Sequence, residues 1–192
     1  MPMISPRIRR LTQDHERLLA RFANWPFIRL TGTAGLPPEH YRVSYAIRGL
    51  YVDPTGQILE RGEHVLEVNL SLGYPRRAPQ CRMLTPVFHP NFDDVSVCVG
   101  DFWAASERLD DLLVRIGRMI AYQEFNTKSP LNGLAARWAA EHPQFLPIDG
   151  REIAPGMLEK RETGQPAGDT SSAPGSAGGV SADPWPARIV VP

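Results

Sequence analysis

Apolar positions recur along this chain with a period that changes twice. Ile8, Leu11, His15, Leu18 and Phe22 lie three or four residues apart and draw one buried stripe down a helix. Ser5-Pro6 is a start signal for it, an N-cap residue followed by proline at the first helical position. Arg10, Asp14, Arg17 and Arg21 fall on another face, with Arg7 leading into it. The period then drops to two. Residues 27–33 read as a first strand, and Tyr41, Val43, Tyr45 and Ile47 alternate with Arg42, Ser44, Ala46 and Arg48 in a second. Leu66, Val68, Leu70 and Leu72 form a third, and Cys81, Met83 and Thr85 a fourth. Turn-forming stretches at 35–40, 53–62 and 73–79 separate them, which predicts a four-stranded antiparallel meander.

The helical period returns over residues 107–122, where Leu109, Leu112, Leu113, Ile116, Met119 and Ile120 make the stripe and Ser106 is placed to cap it. Asp110 and Asp111 sit favourably near the positive end of its dipole. A last helix is predicted from Ser129-Pro130 to about Glu141, burying Leu131, Leu134, Ala135 and Trp138 and ending at Pro143. Helix, strands, then helices is an α+β arrangement.

Composition changes near Gly150. Residues 163–184 are Gly, Pro, Ser, Ala, Thr and Asp with few other residues and no aromatic side chain, which cannot bury enough surface to fold alone. Trp185, Ile189, Val190 and Val191 follow as an apolar patch on this tether. The expected division is a folded domain over 1–149, a flexible linker over 150–184 and a docking motif over 185–192, seated either on this domain's sheet or on a partner.

Lys and Arg total 21 and Asp and Glu total 21, a zero formal net charge that argues against a protein built to coat nucleic acid or an anionic membrane. No apolar run reaches the roughly 18 residues that span a bilayer. The N-terminal arginines precede no apolar segment, so no secretory signal is read there. Two cysteines, Cys81 and Cys98, make no disulfide framework, and the expectation is a cytoplasmic protein with reduced thiols. The histidines are scattered and nothing has metal-ligand spacing, so neither metal nor cofactor is expected. Only Lys128 and Lys160 are lysines. A GC-rich genome explains the arginine bias. It also suits an enzyme that delivers activated acyl groups, since arginine stays protonated and does not compete as a nucleophile.

The candidate chemistry centres on Cys98. A thiol acts as its thiolate, and a thioester is far more reactive toward amines than an amide. Cys98 lies between Val97 and Val99 and before Gly100-Asp101, where the chain turns. Cys81 sits in an alternating strand and reads as core. Phe88-His89-Pro90-Asn91 precedes Cys98, and Trp103 follows it. Tyr74-Pro75 and Ala78-Pro79 lie before this set, and Ser129-Pro130-Leu131-Asn132 after the long helix.

That ordered set, over about residues 5–145, resembles the ubiquitin-conjugating enzyme family, in its compact bacterial branch. The resemblance implies a thioester with a ubiquitin-like modifier on Cys98, received from an adenylating activating enzyme and passed to an amine of a target protein. It implies that Asn91 supports the oxyanion or holds the active-site loop, and that His89, with Pro90, fixes the turn. Trp103 belongs to the same active-site framework. Ser129 aligns with a gate residue that orients the incoming lysine, unless it simply caps the last helix. Asp101 either contacts the acceptor amine or is a solvated carboxylate. The basic face carrying Arg7, Arg10, Arg17 and Arg21 is either solvated or the dock for the activating enzyme. The bacterial branch further implies a deconjugating protease in the same pathway, sometimes in antiviral defence. The intervals from Asn91 to Cys98 and from Cys98 to Trp103 are shorter than in familiar eukaryotic members, and Asp53-Pro54-Thr55-Gly56 replaces their glycine-rich hairpin. Two other readings are a non-catalytic modifier-binding module of the same fold and a small cysteine hydrolase using Cys98 and His89. The hydrolase would need a third orienting group.

Overall fold

The computed structural model of the chain describes residues 5–94, 96–99 and 103–155. Helix α1 spans Pro6–Phe22, and the Ser5 side chain accepts from the Ile8 amide at 3.2 Å, as its start signal requires. Four antiparallel strands form the main sheet: β1 (Ile28–Gly35), β2 (Pro38–Tyr45), β5 (His64–Asn69) and β6 (Gln80–Met83), in the order β1-β2-β5-β6. Tyr41 pairs with Val68 and Val68 with Cys81, so one row of inward side chains crosses three strands. Gly35 turns the chain into β2 at φ 99°. A Cβ there would meet the Glu39 nitrogen and the Pro37 oxygen at 3.1 Å, which selects glycine.

A second sheet lies inside the stretch read as turn. Strands β3 (Gly49–Val52) and β4 (Ile58–Arg61) pair antiparallel around an Asp53 turn, whose side chain accepts from the amides of Thr55 and Gln57. Leu50 is fully buried and Leu59 nearly so, but four-residue strands offer too few alternations to be seen against the Pro and Gly of their turn.

Helix α2 (Leu109–Ile120) is buried on most sides, and α3 covers Gly133–Glu141. Both start later than their signals suggested. Ser106 does not cap α2, whose N-cap position is Arg108, and Asn132 rather than Ser129 caps α3 by accepting from the Ala135 amide at 3.0 Å. Leu131 and Leu134, expected in the core, are 43% and 72% exposed. Leu72 is also exposed, because β5 ends at Asn69.

On α1 the buried row is Leu11, Asp14, Leu18 and Phe22, while Ile8 is 36% exposed. Asp14, placed on the charged face by sequence, is in the interior. Its carboxylate is compensated by the Arg10 guanidinium at 2.6 Å and by the Tyr74 hydroxyl. Asp110 is likewise buried. Burial opposes its ionisation, but Arg108 and Arg21, each 2.6 Å away, outweigh this and hold its pKa below the usual carboxylate range.

The folded domain also extends past its expected end at residue 149. Ile153 is fully buried, and its carbonyl accepts from the Trp25 indole at 2.9 Å. Arg151 spans the Asp149 carboxylate, the Ala46 carbonyl and the face of Phe27. Gly117 lets α2 approach this segment, since a Cβ there would stand 2.8 Å from Ile153. Ile153→Ala should therefore lower stability by about 2–5 kcal/mol, read from the denaturant midpoint. A midpoint unchanged from wild type would return residues 150–155 to the linker. The remaining linker and the 185–192 motif lie outside the described residues.

Candidate active site

The site is built outward from the buried Phe88-His89-Pro90-Asn91 turn. The Phe88 amide donates to the Leu50 carbonyl at 2.7 Å, which hangs the turn on β3. The Phe88 carbonyl accepts from the Tyr122 hydroxyl at 2.9 Å, just past the end of α2. Tyr122 holds φ 58°, a conformation unfavourable for a bulky residue and maintained here by its buried surroundings.

His89 is fully buried, with the rings of Phe92 and Tyr122 at 4.9 and 4.6 Å. Its Nδ1 accepts from the Asn91 amide at 3.0 Å. Burial lowers its pKa to about 3, against a smaller opposing effect of the Glu124 backbone. The ring is neutral at cellular pH and shapes the turn. Such a residue is ill-suited to act as the base of a hydrolase.

Asn91 is tied in three directions. Its carbonyl accepts from the Cys98 amide at 2.9 Å, its Oδ1 accepts from the Asn126 amide at 2.9 Å, and its Nδ2 donates to the Asn126 carbonyl at 3.4 Å. Pro90 adds two bonds, its carbonyl accepting from the amides of Leu131 and Asn132 at 2.8 and 3.0 Å. The loop between α2 and α3 is thus clamped at both ends to the same turn that holds Cys98. Ser129 lies exposed between these clamps, and its hydroxyl is not spent on the cap.

Phe92 bridges Val97, and the Asp93 carboxylate accepts from the Ser96 amide at 2.6 Å. The Val97 amide donates to the Cys81 carbonyl at 3.0 Å, anchoring this stretch on β6. Val97 and Val99 are buried, and Cys98 between them is partly exposed. Cys81 is buried, and burial pushes its thiol up to about 12, although Arg115 pulls the other way. Of the two thiols, only Cys98 combines access with a fixed backbone.

Trp103 donates its indole N–H to the Pro75 carbonyl at 2.8 Å and faces the Tyr74 ring at 5.8 Å. Asp101 lies outside the described residues. Three of the four arginines expected on a free basic face are engaged internally. Arg7 binds Glu39 and the carbonyls of Leu70 and Ser71, Arg10 binds Asp14, and Arg21 binds Asp110 and Asp111. Arg17 is 43% exposed, with Asp14 3.9 Å away. Amphipathic spacing could not foresee the partners of Arg7 and Arg21, which come from β2, from the segment after β5 and from α2.

Sequence reasoning missed Asn126 and Tyr122, whose bonds cross 34 or more residues. The positive φ of Tyr122 has no sequence signature.

An N-terminal helix, a four-stranded meander, a partly exposed cysteine behind a His-Pro-Asn turn and two following helices define one fold class. Solved structures share it. A Plasmodium yoelii structure described as a ubiquitin-conjugating enzyme superposes with a TM-score of 0.52 at 14% identity, covering 74% of this chain and 89% of its own. The S. cerevisiae protein Ubc12 superposes with a TM-score of 0.53 at 22% identity, covering 73% and 74%. The family model for ubiquitin-conjugating enzymes matches residues 39–146, more than half of the chain, and the chain belongs to that family. The bovine ubiquitin-conjugating enzyme E2 T is 29% identical over 137 residues, covering 55% of this chain and 70% of its own. Membership implies a ubiquitin-like modifier, an activating enzyme and target proteins as partners.

Proposed function

We propose that the protein accepts a ubiquitin-like modifier as a thioester on Cys98 and transfers it to an amine of a target protein. One observation carries this reading: Cys98 is partly exposed between buried Val97 and Val99, with its amide held by Asn91 of the His-Pro-Asn turn. In the first step the Cys98 thiolate attacks the activating enzyme's thioester carbonyl, forming a new S–C bond and releasing that enzyme's thiol. In the second, an amine attacks the Cys98 thioester. The C–N bond forms, the C–S bond breaks, the amine's proton passes to solvent and Cys98 regains its thiol. Both steps pass through an oxyanion, which Asn91 Nδ2 would stabilise with its second N–H.

Mixed with its activating enzyme, modifier and ATP, the protein should form an adduct that dithiothreitol removes. Modifier binding with no covalent adduct under these conditions would favour the non-catalytic module instead. Hydrolysis of a modifier-linked fluorophore by the protein alone would favour the hydrolase.

Ser129 serves as the gate in this scheme, exposed and lying in the chain between the residues that Asn91 and Pro90 hold. Ser129→Ala should slow discharge to free lysine by about two- to tenfold, the worth of one hydrogen bond, with charging unchanged. Equal discharge rates would remove Ser129 from the mechanism. Asp101 is a second candidate for the acceptor amine, and Arg17 the exposed candidate of its face for the activating enzyme. The compartment proposed is the cytoplasm, where both free cysteines stay reduced. A bacterial setting with a deconjugating protease and antiviral defence rests on the sequence resemblance alone.

A further inference from the structure

The segment between Trp103 and α2 forms neither helix nor strand, so the side chains that reach it set its position. Ala104, Ala105 and Ser106 are exposed and supply no core anchor. One side chain spans the segment. Arg10, on α1, donates Nη1 to the Ala105 carbonyl at 2.6 Å and Nη2 to the Glu107 carbonyl. The same guanidinium donates Nε to Asp14 at 2.6 Å and Nη2 to the Tyr74 hydroxyl at 3.2 Å. Four of its five N–H donors are used, and its side chain is only 16% exposed. The Tyr74 hydroxyl in turn donates to Asp14, closing the network. Tyr74 also faces Trp103, whose indole is fastened to Pro75.

Residues 99–102 join Cys98 to Trp103. The Cys98 end of this spacer is held by the Asn91 carbonyl. The far end is held by Trp103 and, two and four residues further on, by Arg10. The described residues on both sides of this interval are thus tethered, and the far tether reaches back to α1.

We infer that Arg10 is a positioning residue for transfer from Cys98, acting as a strut from α1 to the chain that leaves the active site. This goes beyond the basic-face reading, in which Arg10 served as a docking contact. It rests on the proposed thioester at Cys98. Lysine in its place would keep a charge beside Asp14. It presents three donors at one point and cannot span two carbonyls, a hydroxyl and a carboxylate together.

The test uses the full chain. Wild type and Arg10→Lys are charged with modifier and purified, and discharge to free lysine is followed in a single turnover. The KM for the activating enzyme in charging and the Trp103 indole N–H resonance are measured alongside. For Arg10→Lys the expected result is discharge slowed about tenfold, in line with the cost of a small misplacement at a reacting centre, a displaced Trp103 indole resonance and an unchanged KM. A raised KM with normal discharge would make Arg10 a docking residue and overturn the inference, as would wild-type values throughout. Should Arg10→Lys lose its dispersed spectrum, Tyr74→Phe carries the same criteria, because it keeps the Arg10–Asp14 pair and removes the hydroxyl between them. If wild type itself forms no adduct, the function reading fails. The Trp103 resonance of Arg10→Lys then decides the strut: a shift retains it and an unmoved resonance rejects it.

Discussion

Cys98→Ala should abolish the dithiothreitol-labile adduct, and Cys98→Ser should give either a more reductant-stable oxyester or none. Cys81→Ser should leave the adduct intact, because Cys81 is buried and its thiol is raised to about 12, leaving little thiolate. The contrast is one of burial. The stretches that carry the two cysteines are joined by the Val97–Cys81 hydrogen bond, but Cys81 is in the core, whereas Cys98 is partly exposed between buried Val97 and Val99. Adduct formation that needs Cys81 and ignores Cys98, scored on non-reducing gels, would sink the assignment.

Asn91→Ala and Asn91→Asp should both slow thioester discharge by about 10²–10³, the typical cost of removing one oxyanion donor. They should differ in stability. Alanine removes both side-chain bonds to the Asn126 backbone and leaves that amide without its acceptor, at about 1–3 kcal/mol. Aspartate keeps an acceptor for the Asn126 amide, but it lacks the Nδ2 donor and sets a carboxylate oxygen against the Asn126 carbonyl. Discharge at the wild-type rate in Asn91→Asp would show that Asn91 only holds the loop. Single-turnover discharge and denaturant unfolding on the same preparations separate the two contributions.

Local chemistry in the sequence sufficed wherever neighbours along the chain decide the outcome. The Ser5-Pro6 start, the alternation of β2, β5 and β6, the stripe of α2 and the buried Trp138 all follow from period and capping, which act over a turn or a strand. The same holds for the likeness of the His89-Pro90-Asn91 turn and Cys98 to a conjugating enzyme, carried by residue order alone. The β3–β4 hairpin escaped because its strands are too short to declare a period.

Tertiary contact decided the rest. A charged side chain reads as solvated until a partner is known, and Arg7, Arg10, Arg21 and Asp14 each have a partner 32 to 97 residues away. Ser129 looked like a cap because Pro130 follows it, but the amides of Leu131 and Asn132 are taken by Pro90 and the helix begins only at Gly133. Ile153 looked like linker because the composition changes near Gly150, whereas Gly117 of α2 and Trp25 meet it from far along the chain. Sequence alone determined which residues could carry the chemistry and the order of the elements that bear them. Only the folded chain decided which arginines are spent inside and how far past residue 149 the packing runs, because burial and long-range hydrogen bonds arise from what folding brings together.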